Sequence, residues 1–180
     1  MTLRIQPVLL LLLLLLPVGL RAQEQDDPNV MAQKRTIHDI RDVGTAMWHW
    51  YKDQMAPKRS AESHARAQEE GAAKSADLTR IPVISREDLA AILVPKYIAA
   101  IPAEDGWGHP YEFRLNTQDP NATVVMALRS GGRDGQFSGD VYTVDSFNPT
   151  DFDQDITWMD GFFMRWPQAK PDWSPRQGSR

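Results

Sequence analysis

The sequence predicts an α+β fold, with one long amphipathic helix packed on a small antiparallel sheet. Apolar residues between Val30 and Tyr51 recur at spacings of three and four, the period of a helix with one buried stripe. Beyond Pro95 the period changes to two, and Tyr111, Phe113 and Leu115 alternate with Glu112 and Arg114. Asp160-Gly161 then separates two apolar runs, a strong signal for a tight hairpin. An amphipathic helix of this length needs a surface to lie on, and the sheet is the one this chain offers.

Residues 1–22 are expected to stand apart from the fold. One early positive charge at Arg4, a leucine run from Val8 to Leu16, and a break at Pro17 and Gly19 before Ala22 make the pattern of a secretory signal. The run is short for a bilayer span, so residues 8–20 serve as a membrane anchor only if they are retained. Residues 23–57 hold the long helix. Asp27-Pro28 reads as an N-cap followed by proline at the first helical position. Val30, Ile37, Ile40, Gly44, Met47 and Tyr51 form its stripe, Trp48 and Trp50 widen it, and Lys34, Arg35, Asp39, Arg41 and Asp42 face water. Its end is expected between Gln54 and Pro57.

Residues 58–83 turn to Ala, Ser, Glu, Arg and Lys, with no large apolar side chain before Leu78. Such a segment buries little and is expected to be a mobile charged insertion. The globular domain follows over 84–166. Ser85 and Asp88 form a capping box for a short helix that turns Leu89, Ile92 and Leu93 inward and stops at Pro95. Strands are expected near 111–115, 123–128, 141–144, 156–159 and 162–166. The tail, 167–180, is rich in Pro, Gln and Ser and is expected to be disordered.

Composition removes several function classes. The chain has 24 acidic residues against 20 Lys and Arg, and two of those bases lie in the first 22 residues. An acidic chain does not suit the phosphate backbone of nucleic acids. There is no cysteine, hence no disulfide, no lipid attachment at cysteine and no thiolate chemistry. His38, His49, His64 and His109 are scattered, which fits neither a zinc site nor a catalytic set, and no Gly-x-Ser-x-Gly motif occurs.

The densest chemistry lies from Gly131 to Trp158. Aspartates stand at 134, 140, 145, 151, 153 and 155, and no Lys or Arg occurs from Asp134 through Met164. Unpaired carboxylates behind a glycine turn call for open solvent or for a hard cation with oxygen ligands. An EF-hand is excluded, because setting Asp151, Asp153 and Asp155 on its first ligands puts Ile156 where glycine is required and Phe162 where the bidentate glutamate is required.

Residues 97–111, YIAAIPAEDGWGHPY, resemble the YL..LP.DPWGNPY segment of the major pseudopilin of type II secretion systems. IHDIRDVGTAMWHWYKDQ resembles the second half of that family's long helix, and REDLAAILVPKYI its short second helix. VVMALRSGGRDGQFSG, with the later DQDITW, resembles its C-terminal strand and loop. The resemblance covers roughly residues 30–55 and 84–158. It implies a pilin-like fold, a long helix on a small antiparallel sheet, and a calcium ion tying the C-terminal loop to that sheet. On that resemblance the calcium ligands are Asp134, Asp153 and Asp155, with Asp151 in reserve and backbone carbonyls near Arg129 to Gly132 completing the shell. It also implies protein partners, among them other pseudopilins or secretion-system components. The leucine run carries no acid and is expected to be cut behind rather than ahead of it, unlike the family's leader, and residues 58–83 replace the family's compact turn.

The expected protein is therefore non-enzymatic and structural, exported to the periplasm or beyond, and tethered to the inner membrane only if residues 8–20 persist. Two other readings stay open from the residues. Trp107, Trp158 and Trp166 would suit a glycan- or peptide-binding module if they were exposed. Asp153 and Asp155 would suit a hydrolase if they lined a cleft.

Overall fold

The computed structural model describes residues 27–62 and 75–168. The expected leader at 1–22, residues 63–74 of the insertion and the tail beyond 168 lie outside the described residues. Helix α1 spans Pro28–Gln54 and is closed by a single 3-10 turn, Ala56–Lys58. Asp27 caps it by accepting from the Asn29 N–H at 2.8 Å, and Pro28 occupies a position where no N–H is needed. Its buried side carries Thr36, Ile40, Val43, Met47, Trp50 and Tyr51. Val30 and Ile37 of the expected stripe are only partly buried, because the inner face is turned slightly toward Ala32, Thr36 and Val43.

Eight strands follow: β1 Ser75–Asp77, β2 Val83–Ile84, β3 Glu112–Leu115, β4 Met126–Ser130, β5 Val141–Thr143, β6 Asp145–Phe147, β7 Ile156–Met159 and β8 Phe162–Pro167. Six of them form one sheet in the order β2-β3-β4-β7-β8-β6, while β1 and β5 pair as a separate ribbon. The β7–β8 hairpin turns at Asp160 and Gly161, both with positive φ (44° and 108°), the geometry such a turn demands. Every pairing is antiparallel except β6 with β8, which is parallel. The sheet is thus mixed, not the purely antiparallel one the sequence suggested. The acidic loop sends its own short strand back to the β8 edge, a long-range pairing that no hairpin signal announces.

Helix α2, Arg86–Leu93, opens at Ser85, whose hydroxyl accepts from Asp88 N–H at 3.0 Å and donates to the Asp88 carboxylate at 2.7 Å. It adds Leu89 and Leu93 to the main core. That core lies between α1 and the sheet, where Ile40, Val43 and Met47 meet Phe113, Met126, Leu128, Ile156 and Trp158. At Gly44 a Cβ would sit 2.7 Å from the Trp158 ring, so a side chain here would push the helix off the sheet.

The opposite sheet face is covered too. Ala76, Leu78 and Ile81 join Ala127, Tyr142, Met159 and Met164 in a second, smaller core. Residues 75–83 of the expected mobile insertion are accordingly part of the fold, held by β1–β5 pairing and by two apolar side chains, Leu78 and Ile81, with no exposed surface. β4 and β7 are buried on both faces, so the polar Arg129, Ser130 and Thr157 are covered along with their apolar neighbours.

Candidate functional site

Alternation along the strands decides which polar residues the acidic loop meets. On β3 and β4, Phe113 and Leu128 point toward α1, so Glu112, Arg114 and Arg129 point outward. Register then lines up Glu112, Arg129, Thr157 and Arg165 across four adjacent strands. Arg129, only 3% exposed, is the hub of this row. Its guanidinium donates to Glu112 at 3.0 and 3.1 Å, to Asp140 at 2.9 Å, to the Gly139 carbonyl at 2.6 Å and to the Tyr142 hydroxyl at 2.9 Å. Phe137 stacks over it at 3.9 Å. Residues 137–142 are thereby fastened to the sheet. Arg114 adds bonds to Glu112 and to the carbonyls of Leu78 and Ile81, so the covering ribbon is held from the same row.

The glycine turn ahead of the loop is pressed against the residues that follow it. Gly132 has φ +70°, and a Cβ there would lie 2.6 Å from the Phe152 carbonyl and 2.8 Å from that of Gln154. Only glycine permits this approach in that conformation. Arg133 N–H donates to the Phe152 carbonyl at 2.8 Å, and His109 Nε2 lies 2.9 Å from the Arg133 carbonyl. The Trp107–Tyr111 turn is anchored in its own right. Asp105, almost fully buried, accepts from the N–H groups of Trp107 and His109 and from the Ser130 hydroxyl at 2.6 Å. Gly106 N–H donates to Thr36 on α1, so helix, turn and acidic loop share one set of bonds.

The three aspartates assigned to calcium sit in three different environments. Asp155 is buried at the start of β7, and its Oδ2 accepts from Ser138 N–H at 3.0 Å, Ser138 Oγ at 2.6 Å and the Tyr142 hydroxyl at 2.7 Å. Burial, reinforced by that bond to Asp155, pushes the Tyr142 phenol up to about 12. The other oxygen, Asp155 Oδ1, is buried without a hydrogen-bond partner. Asp153 is exposed and paired side-on with Arg133 at 2.8 and 2.8 Å, and that pairing lowers its carboxyl below the ordinary range. Asp134 is exposed and accepts from the Gln136 N–H at 2.9 Å. Among the described residues no three of His, Asp and Glu come together as a ready metal-binding group. Asp151, the reserve ligand, accepts from Gln154 Nε2 at 2.9 Å.

Arg133, Arg129, Ser138 and Tyr142 were not singled out from the sequence. Arg133 lies one position before the base-free span, and Arg129 is visible as a partner only once strand parity is known.

Of the tryptophans considered for ligand binding, Trp158 is core and Trp107 packs near Phe152 with its Nε1 donating to Asn29. An open groove of about 490 Å³ runs between α1 and the β7–β8 turn, lined by Arg41, Trp48, Trp158, Asp160 and Phe162. Asp160, in the turn, accepts from the N–H groups of Val125 and Met126, yet burial pushes its carboxyl up to about 6. No helix among the described residues is long and apolar enough to cross a membrane. Compared with known proteins, the chain matches no family model, no curated protein and no solved structure.

Proposed function

We propose that the chain is a non-enzymatic structural and interaction module of the major-pseudopilin type, exported, whose acidic C-terminal loop is a clamp that calcium tightens. One observation supports this above others: each loop aspartate is spent on holding shape. Asp134 and Asp155 hold loop N–H and hydroxyl groups, Asp140 and Asp153 pair with arginines, Asp151 holds Gln154, and Asp145 holds the Ser146 N–H and lies 3.6 Å from Arg165. Carboxylates so engaged suit a clamp better than acid–base chemistry. The long helix on a sheet, with the short capped helix between them in sequence, agrees with a pilin-like plan, and its protein partners would be other pseudopilins or secretion-system components.

The donor set suits calcium in part. Asp155 Oδ1 is a buried anionic oxygen with no partner, the kind of group a hard cation satisfies. Asp134 and Asp153 lie on the two chain segments that Gly132 brings together. A calcium ion would supply two positive charges and several oxygen contacts there, joining the glycine turn to the start of β7. Thermal unfolding of the full chain tests this. At a calcium concentration 100 times the dissociation constant, stabilisation of about 2.7 kcal/mol is expected, a rise of roughly 5–10 °C. Identical melting in millimolar calcium and in chelator would remove the clamp.

A second reading, a glycan- or peptide-binding module, is favoured by the aromatic groove at Trp48 and Phe162. Quenching of tryptophan fluorescence by candidate ligands, lost in Trp48→Ala, would support it over the first.

A further inference from the structure

We propose that the exposed crest of α1 is a docking surface for an anionic lipid bilayer, held by Lys34, Arg41 and Lys52 and flanked by Trp48. The inference starts from a segregation of charge and does not depend on calcium. The three bases are about two and about three helical turns apart, so they stand in one line, roughly 27 Å long, on the side of α1 turned away from the sheet. All three are exposed, and among the described residues none of them pairs with a carboxylate. The acids of α1 lie off that line and are held by neighbours. Asp39 lies 3.6 Å from Arg35 and accepts from the Tyr111 hydroxyl, and Asp42 lies 3.3 Å from His38. Asp53 is taken by Lys96 and the Tyr97 hydroxyl. Between the bases the crest presents His38, Thr45 and Trp48, and no carboxylate.

An acidic chain that lines up its unpaired bases on one helix suits a negatively charged partner. Glu112 and Asp140 bind Arg129 on the outer face of the sheet, opposite α1, so such a partner meets the helix and not the sheet. Shape then favours a bilayer. The crest is convex, and lysine and arginine stems reach outward to phosphates while the helix lies flat. Trp48, 36% exposed, and Phe162, 41% exposed, border one groove beside the crest, and half-exposed aromatics of this kind settle at a headgroup layer. Chain length points the same way. The leucine stretch ends at Leu20 and α1 begins at Pro28, so wherever that stretch is retained the crest starts within about 28 Å of the bilayer. Each base brought close to an anionic leaflet strengthens attachment by about fivefold.

The chain has no cysteine, so Thr45→Cys on the crest and Thr143→Cys on the outer ribbon each give one unique position for a fluorescent label. The full chain is placed with vesicles of phosphatidylcholine, alone or mixed equally with phosphatidylglycerol, that carry a headgroup quencher. With phosphatidylglycerol at low salt, the label at 45 is expected to be quenched at least about threefold more than the label at 143. That excess is expected to vanish in about 0.5 M sodium chloride and in the combined Lys34→Gln, Arg41→Gln and Lys52→Gln variant. Equal quenching at the two positions overturns the proposal, as does an excess at 45 that ignores the anionic lipid and the salt. An excess kept by the combined variant overturns the role of the three bases. A change at 45 that grows with protein concentration in the absence of lipid assigns the crest to a second copy and overturns the bilayer. The salt series leaves all three bases in place, so it decides the matter even if the combined variant folds poorly.

Discussion

Asp160→Asn isolates one charge whose cost the structure makes calculable. Asp160 sits in the β7–β8 turn with φ +44°, a conformation that asparagine tolerates as well as aspartate. Its carboxyl accepts from the Val125 and Met126 N–H groups, and an amide oxygen can do the same. Burial nevertheless moves the carboxyl from the ordinary 3.8 up to about 6. The folded state thus holds a proton that the unfolded chain gives up near pH 4. The stability that the neutral carboxyl allows is complete below about pH 4, falls as the pH climbs to about 6, and stays lost above that. A displacement of this size corresponds to about 3 kcal/mol. Asp160→Asn should therefore be within about 0.5 kcal/mol of wild type at pH 4 and more stable than it by about 2–3 kcal/mol at pH 7–8. Urea unfolding of both proteins at five pH values between 4 and 8 measures that difference. Comparing the pair cancels the slopes of other carboxylates, including Asp153, whose carboxyl is lowered by Arg133. A difference that does not change with pH, or a variant less stable at pH 8, refutes the reasoning.

Two other substitutions probe the two sheet faces. Gly44→Ala places a methyl 2.7 Å from the Trp158 ring between helix and sheet and should cost about 1–3 kcal/mol, read as a lower melting temperature with loss of the near-ultraviolet tryptophan signal. Arg129→Ala removes the hub of the outer row and leaves Glu112 and Asp140 with Arg114 alone; a loss of about 2–4 kcal/mol is expected in urea unfolding, with amides of residues 137–142 losing their protection from exchange before those of α1.

The helix and the inner face were legible because one chemical pattern fixes each of them. Asp27-Pro28 fixes the start of α1, and its apolar period faces the sheet through Ile40, Met47 and Tyr51. Ser85 with Asp88, and Asp160 with Gly161, carry their own local geometry. The outer face was not legible, since it is made by pairings between distant segments. Leu78 and Ile81 looked like the end of a charged insertion because their neighbours in sequence are polar, whereas their neighbours in space are Tyr142, Met159 and Met164. β6 was missed as a separate strand because its three residues gain their place only from β8. The candidate site divides along the same line. The glycine turn and its aspartates stand out in sequence, but their partners Arg129 and Arg165 come from strand register.

The span from Asp134 through Met164 contains no base, which on sequence alone leaves either open solvent or a cation from outside. Register changes the balance by bringing Arg129 to Asp140 and Arg165 near Asp145, while the glycine turn brings Arg133 to Asp153. Arginines at the margins of the loop thus take much of the work an external ion would otherwise do. They do not reach Asp155, whose Oδ1 is buried without a partner, as is Thr157 Oγ1 two residues further along the same strand face. Buried oxygens left unbonded carry a desolvation cost that either an ordered water or a cation can relieve. A cation relieves it further, because only the cation also offsets the charge on Asp155. The electrostatic case for calcium therefore rests on Asp155 more than on the number of aspartates in the loop.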